Sequence, residues 1–156
     1  MPERRPLRPP IDGSVTRPEA PGASSASPDV LGLHVVAMVT GQTEAPLLTV
    51  SVRPEAGDDR SSGMLVVAAA GEVDLDTVTL LRTTLLDAVA RHAVVCCDLS
   101  EVTFFGAVGL TALVNARDEA ARRASRLLVR GPRGLTRRVL HICGLDNLVL
   151  GHQSAD

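Results

Sequence analysis

Residues 93–124 of the chain read AVVCCDLSEVTFFGAVGLTALVNARDEAARRA. The first part, Ala93 to Cys97, is apolar without polar alternation, which is typical of a strand buried on both faces of its sheet. From Gly106 to Ala124 the apolar residues recur every three or four positions, as on one face of an amphipathic helix. The stretch therefore predicts a buried strand that leads through a short connection into a helix. Its inward stripe is expected to comprise Leu110, Leu113, Ala116, Ala120 and Ala124, and its outward residues Asn115, Asp118 and Arg122.

The flanking sequence continues this alternation of strands and helices in both directions. Two β-prone runs, Leu47–Val52 and Met64–Ala70, are separated by turn residues and predict a hairpin. A helix is expected from Asp76 or Thr77 to His92, a strand over Arg126–Arg130, and a last helix marked by Leu135, Val139, Ile142 and Cys143 that stops at Gly144. The order ββαβαβα indicates an α/β domain with one mixed β-sheet covered by α-helices.

The chain is predicted to hold one folded domain between two tails. Residues 1–28 contain seven of the ten prolines, a composition that buries too little apolar surface to offset the entropy of ordering. We assign residues 1–46 to a largely disordered tail, 47–150 to the domain and 151–156 to a short C-terminal tail. The apolar run Val30–Val39 fits either an added strand or part of the tail.

Composition narrows the class of protein further. The content of 45% hydrophobic and 22% charged residues is typical of a globular protein. A formal net charge of -2, with no Trp or Tyr and two Phe, argues against direct nucleic-acid binding. No apolar run is long enough to span a bilayer and no export signal is visible, so we expect a cytoplasmic protein.

Metal and cofactor sites are not expected. The cysteines Cys96, Cys97 and Cys143 form no CxxC pair, and the four histidines show no ligand spacing. We interpret the three cysteines as small core residues.

Charge is distributed unevenly along the sequence. Residues 117–138 hold eight arginines against two carboxylates, whereas residues 44–101 hold ten carboxylates against four arginines. Such polarity steers charged partners, but the arginines are spread over two predicted helices and a strand. We interpret the basic half as a solvated face.

Two motifs resemble the STAS domain family. Gly71-Glu72-Val73-Asp74 resembles the family's G-E-[LVI]-D, and Asp98 to Phe105 is similar to its D-L-S-x-V-x-F-[LMI]. Where the family continues D-S-[ST]-G-L, this chain has Gly106-Ala107-Val108-Gly109-Leu110. The resemblance spans Leu47 to Leu150 and implies the STAS fold, which bacterial anti-sigma factor antagonists share with the tails of sulphate transporters.

The resemblance implies a non-enzymatic regulator of transcription. In that family the unphosphorylated antagonist binds an anti-sigma factor, a GHKL-type serine kinase, and so frees a sigma factor; the kinase then phosphorylates the first Ser of the turn. The matching residue here is Ala107, which has no hydroxyl, and Gly106 and Val108 replace the neighbouring Asp and second hydroxyl residue. Two interpretations stay open: an antagonist that its partner's kinase cannot switch off, and a degenerate module that keeps the fold for another protein contact.

A partner-binding surface is expected around this turn, made by Glu72, Asp74, Phe105, Gly106, Ala107, Val108 and Thr111. Paired carboxylates such as Glu72 and Asp74 can perform acid/base chemistry, but no nucleophile, metal ligand or glycine cradle accompanies them. We interpret them as an acidic rim or a helix cap, and expect no catalytic residue.

A function of another class also fits the same fold. The alternative is a STAS module that binds a small ligand or serves as a subunit of a transport complex. The sequence leaves the oligomeric state open, a homodimer included.

Overall fold

The computed structural model describes residues 35–40, 45–56 and 63–151. They form a five-stranded sheet with the strand order β1-β2-β3-β4-β5. The elements are β1 (Val35–Thr40), β2 (Pro46–Glu55), β3 (Met64–Val73), α1 (Val78–Arg91), β4 (Val94–Phe105), α2 (Ala107–Arg122), β5 (Arg126–Arg130), α3 (Gly134–Ile142) and a 3-10 turn at Asp146–Leu148. Pairing is antiparallel from β1 to β3 and parallel from β3 to β5. The predicted mixed α/β architecture, including the β2–β3 hairpin, is confirmed.

The predicted order ββαβαβα lacks strand β1, which the structure adds at the sheet edge. Ala37 of β1 lies opposite Val50 of β2, so the apolar run that the sequence left ambiguous contributes a strand. The sheet therefore begins at Val35, inside the segment 1–46 assigned to a tail. The remainder of the two predicted tails falls mainly on residues 1–34, 41–44 and 152–156, which lie outside the described residues.

One face of the sheet and the helices share a single apolar core. Alternate residues of a strand point to the same face, and Val67, Val95 and Val129 of three neighbouring strands all have no solvent exposure. They pack with buried leucines of α1 and α2 in one continuous cluster. The α1 face predicted from the sequence is confirmed, since Leu81, Leu85, Ala88 and Val89 are buried and Val78 is half-buried.

The inward face of α2 differs from the predicted stripe at its two ends. Leu113, Ala116 and Ala120 are buried as predicted, but Gly109 and Ala112 are buried as well. Leu110 is only half-buried, and Ala124 is exposed because the helix ends at Arg122 and Ala124 adopts a left-handed backbone (φ 55°). The small residues at 109 and 112 let the start of the helix approach the sheet closely.

Helix α3 buries less than its sequence pattern suggested. Leu140 is its buried residue, whereas Leu135 and Ile142 are 73% and 72% exposed. Cys143, which follows the helix, is exposed too, so the expectation that all three cysteines lie in the core is wrong for it. Cys96 and Cys97 are buried in β4.

The second face of the sheet carries a group of charged residues. Arg130 on β5 donates two hydrogen bonds to the carboxylate of Glu55 on β2, at 2.9 and 2.7 Å. Since β3 and β4 lie between these strands, the pair spans the outer face of both. Arg53 and Asp98 lie nearby, with Arg53 Nη1 3.5 Å from a Glu55 oxygen and Arg130 Nη1 3.9 Å from Asp98 Oδ2. The hydrogen bonds from Arg130 hold the pKa of Glu55 below its ordinary value.

This bridge predicts a pH-dependent contribution to stability. A carboxyl whose pKa is lowered by folding stabilises the native state above its unfolded pKa, about 4.3 for Glu, and loses that contribution as the pH falls through the folded value. We expect Glu55→Gln to lower the urea midpoint of unfolding at pH 7 and to match the wild type in strongly acidic solution. Glu101→Gln, which removes an exposed carboxylate outside the ion pairs found among the described residues, is the control. An equal loss at every pH would mean that packing, not the charge, stabilises this region.

Candidate functional site

The carboxyl ends of β3 and β4 meet at the start of α2. Glu72 lies beside Phe104, and Val73 lies beside Phe105, in the parallel pairing of the two strands. The backbone N–H of Gly106 donates a hydrogen bond of 2.8 Å to the carbonyl of Val73. Both motifs singled out in the sequence are thus joined at one end of the sheet.

Phe105 sets the position of the first turn of α2. A Cβ atom at Gly109 would lie 2.8 Å from the ring of Phe105 and 3.0 Å from Cγ1 of Val73. The ring can therefore occupy this place only because residue 109 has no side chain. Phe105 is half-buried and packs against the core, while Phe104, next to it in the strand, points the other way and is 54% exposed.

The first turn of α2 presents small side chains to solvent. Ala107 is exposed and Val108 is half-buried, and the hydroxyl of Thr111 donates to the carbonyl of Ala107 at 3.2 Å. Gly106 has an extended backbone, and no side chain among the described residues caps the helix. The first turn contains no acidic residue either, so the positive end of the helix dipole faces outward with the methyl group of Ala107.

The turn between β3 and α1 is held by Asp74 and Thr77. Asp74 Oδ1 accepts hydrogen bonds from the backbone N–H groups of Asp76 and Thr77, at 3.0 and 3.1 Å. The fully buried hydroxyl of Thr77 donates to the carbonyl of Glu72 at 2.7 Å and accepts the N–H of Asp74 at 3.0 Å. Asp74 is thus a structural cap that is half-buried, whereas Glu72 is exposed.

All seven residues predicted for partner binding fall at this end of the sheet. Glu72, Ala107 and Thr111 are exposed, and Asp74, Phe105, Gly106 and Val108 are half-buried. Their contact with a partner stays a prediction.

Sequence reasoning missed two large apolar residues of the same surface, Leu75 and Phe104. Leu75 is 77% exposed, although large apolar side chains normally avoid water. Strand alternation could have identified Phe104, since only one of two adjacent phenylalanines can face the core. Leu75 stands between two aspartates in a turn, a position where no core contact is expected. We call Glu72, Leu75, Asp76 and Phe104 the acidic surface.

The acidic surface combines exposed apolar groups with carboxylates, an arrangement that suits a contact between proteins. Exposed apolar groups bordered by carboxylates bind by excluding water and by charge complementarity. Among the described residues, no group of three His, Cys, Asp or Glu is placed to hold a metal ion. Burial raises the pKa of Cys96 to about 11 and that of Cys97 still further, so both thiols stay protonated at neutral pH. No described helix combines the length and the apolar character needed to cross a bilayer.

Comparison with known families gives a match over most of the folded region. The family model described as "Mlab, STAS domain" matches residues 56–150. No curated protein matches the sequence.

Solved structures share the fold. An anti-sigma factor antagonist from Mycobacterium paratuberculosis is 29% identical, with a TM-score of 0.52 over 65% of this chain and 83% of that one. The unphosphorylated form of the anti-sigma factor antagonist SpoIIAA is 20% identical, with a TM-score of 0.52 over 66% of this chain and 89% of that one. The phosphorylated form of SpoIIAA, a Bacillus cell fate determinant, is 18% identical, with the same TM-score over 66% and 92%. The last two are similar in fold alone.

The cap formed by Asp74 can be tested by two substitutions. Asp74→Ala removes the acceptor of two backbone N–H groups and should lower the free energy of unfolding by about 1 kcal/mol. Asp74→Asn keeps an oxygen in the same place and should lose less than half as much. Urea unfolding followed by circular dichroism measures both values. Equal losses in the two variants would show that the charge of Asp74, and not its hydrogen bonds, holds the turn.

Proposed function

Because the chain belongs to the STAS domain family, we propose that it is a non-enzymatic, cytoplasmic regulator that binds an anti-sigma factor of the GHKL kinase type. Binding would free the sigma factor held by that partner and so control transcription. The observation that carries this proposal is the exposure of Leu75, Phe104 and Ala107 together at the end of β3 and β4. The antagonist from Mycobacterium paratuberculosis, which is 29% identical, supports the same role.

The shape of this end of the molecule suits a protein partner. At the start of α2, Gly106 has no side chain and the exposed Ala107 has only a methyl group, so another chain can approach the helix backbone closely. Leu75 and Phe104, exposed after β3 and near the end of β4, offer apolar area, and large apolar side chains at an interface centre carry much of the binding energy. Glu72 and Asp76 are exposed alongside and favour a partner with a basic contact surface.

The residue at the start of α2 decides whether phosphorylation can regulate the proposed complex. A phosphate there would add about -1.5 to -2 charges at a surface that must lose its water on binding, which would release the partner. Ala107 has no hydroxyl to accept the phosphate. In the proposed complex, the kinase activity of the partner therefore cannot release this protein.

A second candidate function rests on the face of the sheet that points away from the helices. There a cavity of about 450 Å³ is lined by hydroxyl, small and charged residues, namely Thr49, Ser51, Arg53, Ala68, Ala69, Ala70, Asp98, Ser100 and Glu101. It supports the alternative of a module that binds a small polar ligand or joins a transport complex. Gene neighbourhood discriminates the two: a kinase of the GHKL type or a sigma factor beside the gene favours the first, and a permease favours the second.

Ala107→Glu should weaken the complex with the anti-sigma factor. A carboxylate at a helix start is tolerated by the free protein, but it must be desolvated in the interface, so we expect a loss of about 1–3 kcal/mol in binding. Calorimetry with the purified GHKL-type anti-sigma factors of the source organism gives the affinities. Ala121→Glu, the same substitution at an exposed position in the last turn of α2, is the matched control. Equal affinity of wild type and Ala107→Glu would place the partner surface elsewhere.

Phosphate transfer provides an independent prediction. The wild type should accept no phosphate from a bound kinase, whereas the triple substitution of Gly106→Asp, Ala107→Ser and Val108→Ser should. The fold should tolerate these changes, because Gly106 has a negative φ of -76° and a Cβ there would lie 3.3 Å from the Val73 carbonyl, a contact that needs only a small shift. Intact mass after incubation with ATP and kinase detects the transfer. Phosphorylation of the unmodified protein, for instance at Thr103 or Thr111, would contradict the loss of the switch.

A further inference from the structure

Two exposed apolar surfaces of opposite charge lie on this molecule. Among the described residues, six large hydrophobic side chains are exposed: Met38, Leu75, Phe104, Leu135, Ile142 and Leu150. Leu75 and Phe104 belong to the acidic surface, and Leu135 and Ile142 belong to α3. A surface that keeps large apolar groups in water beside charged residues is typical of an interaction site.

The residues of α3 form a continuous exposed stripe. Leu135 and Ile142 are seven positions apart, so they lie almost directly above one another on the helix, with Arg138 on the same side between them. Arg133 and Arg137 are exposed next to the stripe. We call Arg133, Leu135, Arg137, Arg138 and Ile142 the basic surface.

The two surfaces differ in the sign of their charge. Residues 131–146, which contain the basic surface, include three arginines and one carboxylate, Asp146, whose Oδ2 lies 2.8 Å from Nδ1 of His141. Residues 71–78 and 101–111, which contain the acidic surface, include four carboxylates and no arginine. Opposite charges around paired apolar groups favour association and fix its orientation.

We propose that the basic surface of one molecule docks on the acidic surface of a second copy of this chain. The contact joins two different surfaces, so it is heterologous and each molecule keeps one free surface of each kind. It also covers Leu75 and Phe104. Self-association therefore competes with any protein that binds the acidic surface, although it does not depend on the existence of such a partner.

Complementary variants test this contact, because each removes one surface only. Leu75→Arg disrupts the acidic surface, and Leu135→Glu disrupts the basic surface; a carboxylate in the first turn of α3 is compatible with the helix dipole. Met38→Glu changes an exposed large apolar residue of β1 outside both surfaces and is the control. Sedimentation velocity of the full chain over a wide range of concentration measures association, and circular dichroism verifies the fold of each variant.

The wild type and Met38→Glu should show an average mass that rises with concentration, more steeply in low salt than in about 0.5 M salt, where charges are screened beyond about 4 Å. Each surface variant alone should associate at least about tenfold more weakly. An equimolar mixture of Leu75→Arg and Leu135→Glu should associate more strongly than either variant alone, since one intact pair of surfaces remains between them.

Three results would overturn the proposal. These are a wild type that is monomeric at every concentration, surface variants that associate as the wild type does, and a mixture that shows no dimer although the wild type associates. Binding of the monomeric wild type to anionic phosphatidylglycerol vesicles, lost in Leu135→Glu, would assign the basic surface to a lipid partner and would equally contradict the contact between copies.

Discussion

The hydrogen bond from the N–H of Gly106 to the carbonyl of Val73 fixes where α2 begins relative to the sheet. It links the end of β3 to the residue that follows β4, at 2.8 Å. The ring of Phe105 packs against Gly109, which lies one turn further along α2 and where a Cβ atom would come within 2.8 Å of the ring. These two contacts together place Ala107 in solvent and Leu113 in the core. The exposure of Ala107 thus follows from the contacts that close the core beneath the start of α2.

The course of the chain could be predicted wherever the sequence contains a clear period and a clear stop. Strand β5 has the predicted bounds, and α1 and α2 begin and end within two residues of the predicted ones. Strand β1 could not be assigned, because the run Val30–Val39 lacks alternation and only its pairing with β2 shows its conformation. The buried face of α2 differs from the predicted one at its N-terminal end for a related reason. Contact with Phe105, a tertiary interaction, decides that Gly109 is buried, and glycine adds no apolar signal to a periodic pattern.

The candidate site could be located from the sequence, but its exposure could not. The motifs around Glu72 and Phe105 indicated the right end of the sheet, because parallel strands bring their carboxyl ends together. The separate roles of neighbouring residues could not be predicted from the sequence. Asp74 caps a turn, whereas the adjacent Leu75 is exposed to solvent. The exposure of residues in helix α3 could not be predicted either. Its apolar residues at 135 and 142 have the spacing of a buried stripe, and yet they are exposed.

Hydrogen exchange of the complex with a GHKL-type anti-sigma factor identifies the residues that the partner covers. Binding is expected to slow exchange in residues 72–76 and 104–111, where the ends of β3 and β4 meet α2. Exchange in β5 and along the cavity lined by Ser51, Ala69 and Asp98 should not change. Protection confined to that cavity, with the start of α2 exchanging as in the free protein, would contradict the assignment of this end of the molecule as the partner-binding surface.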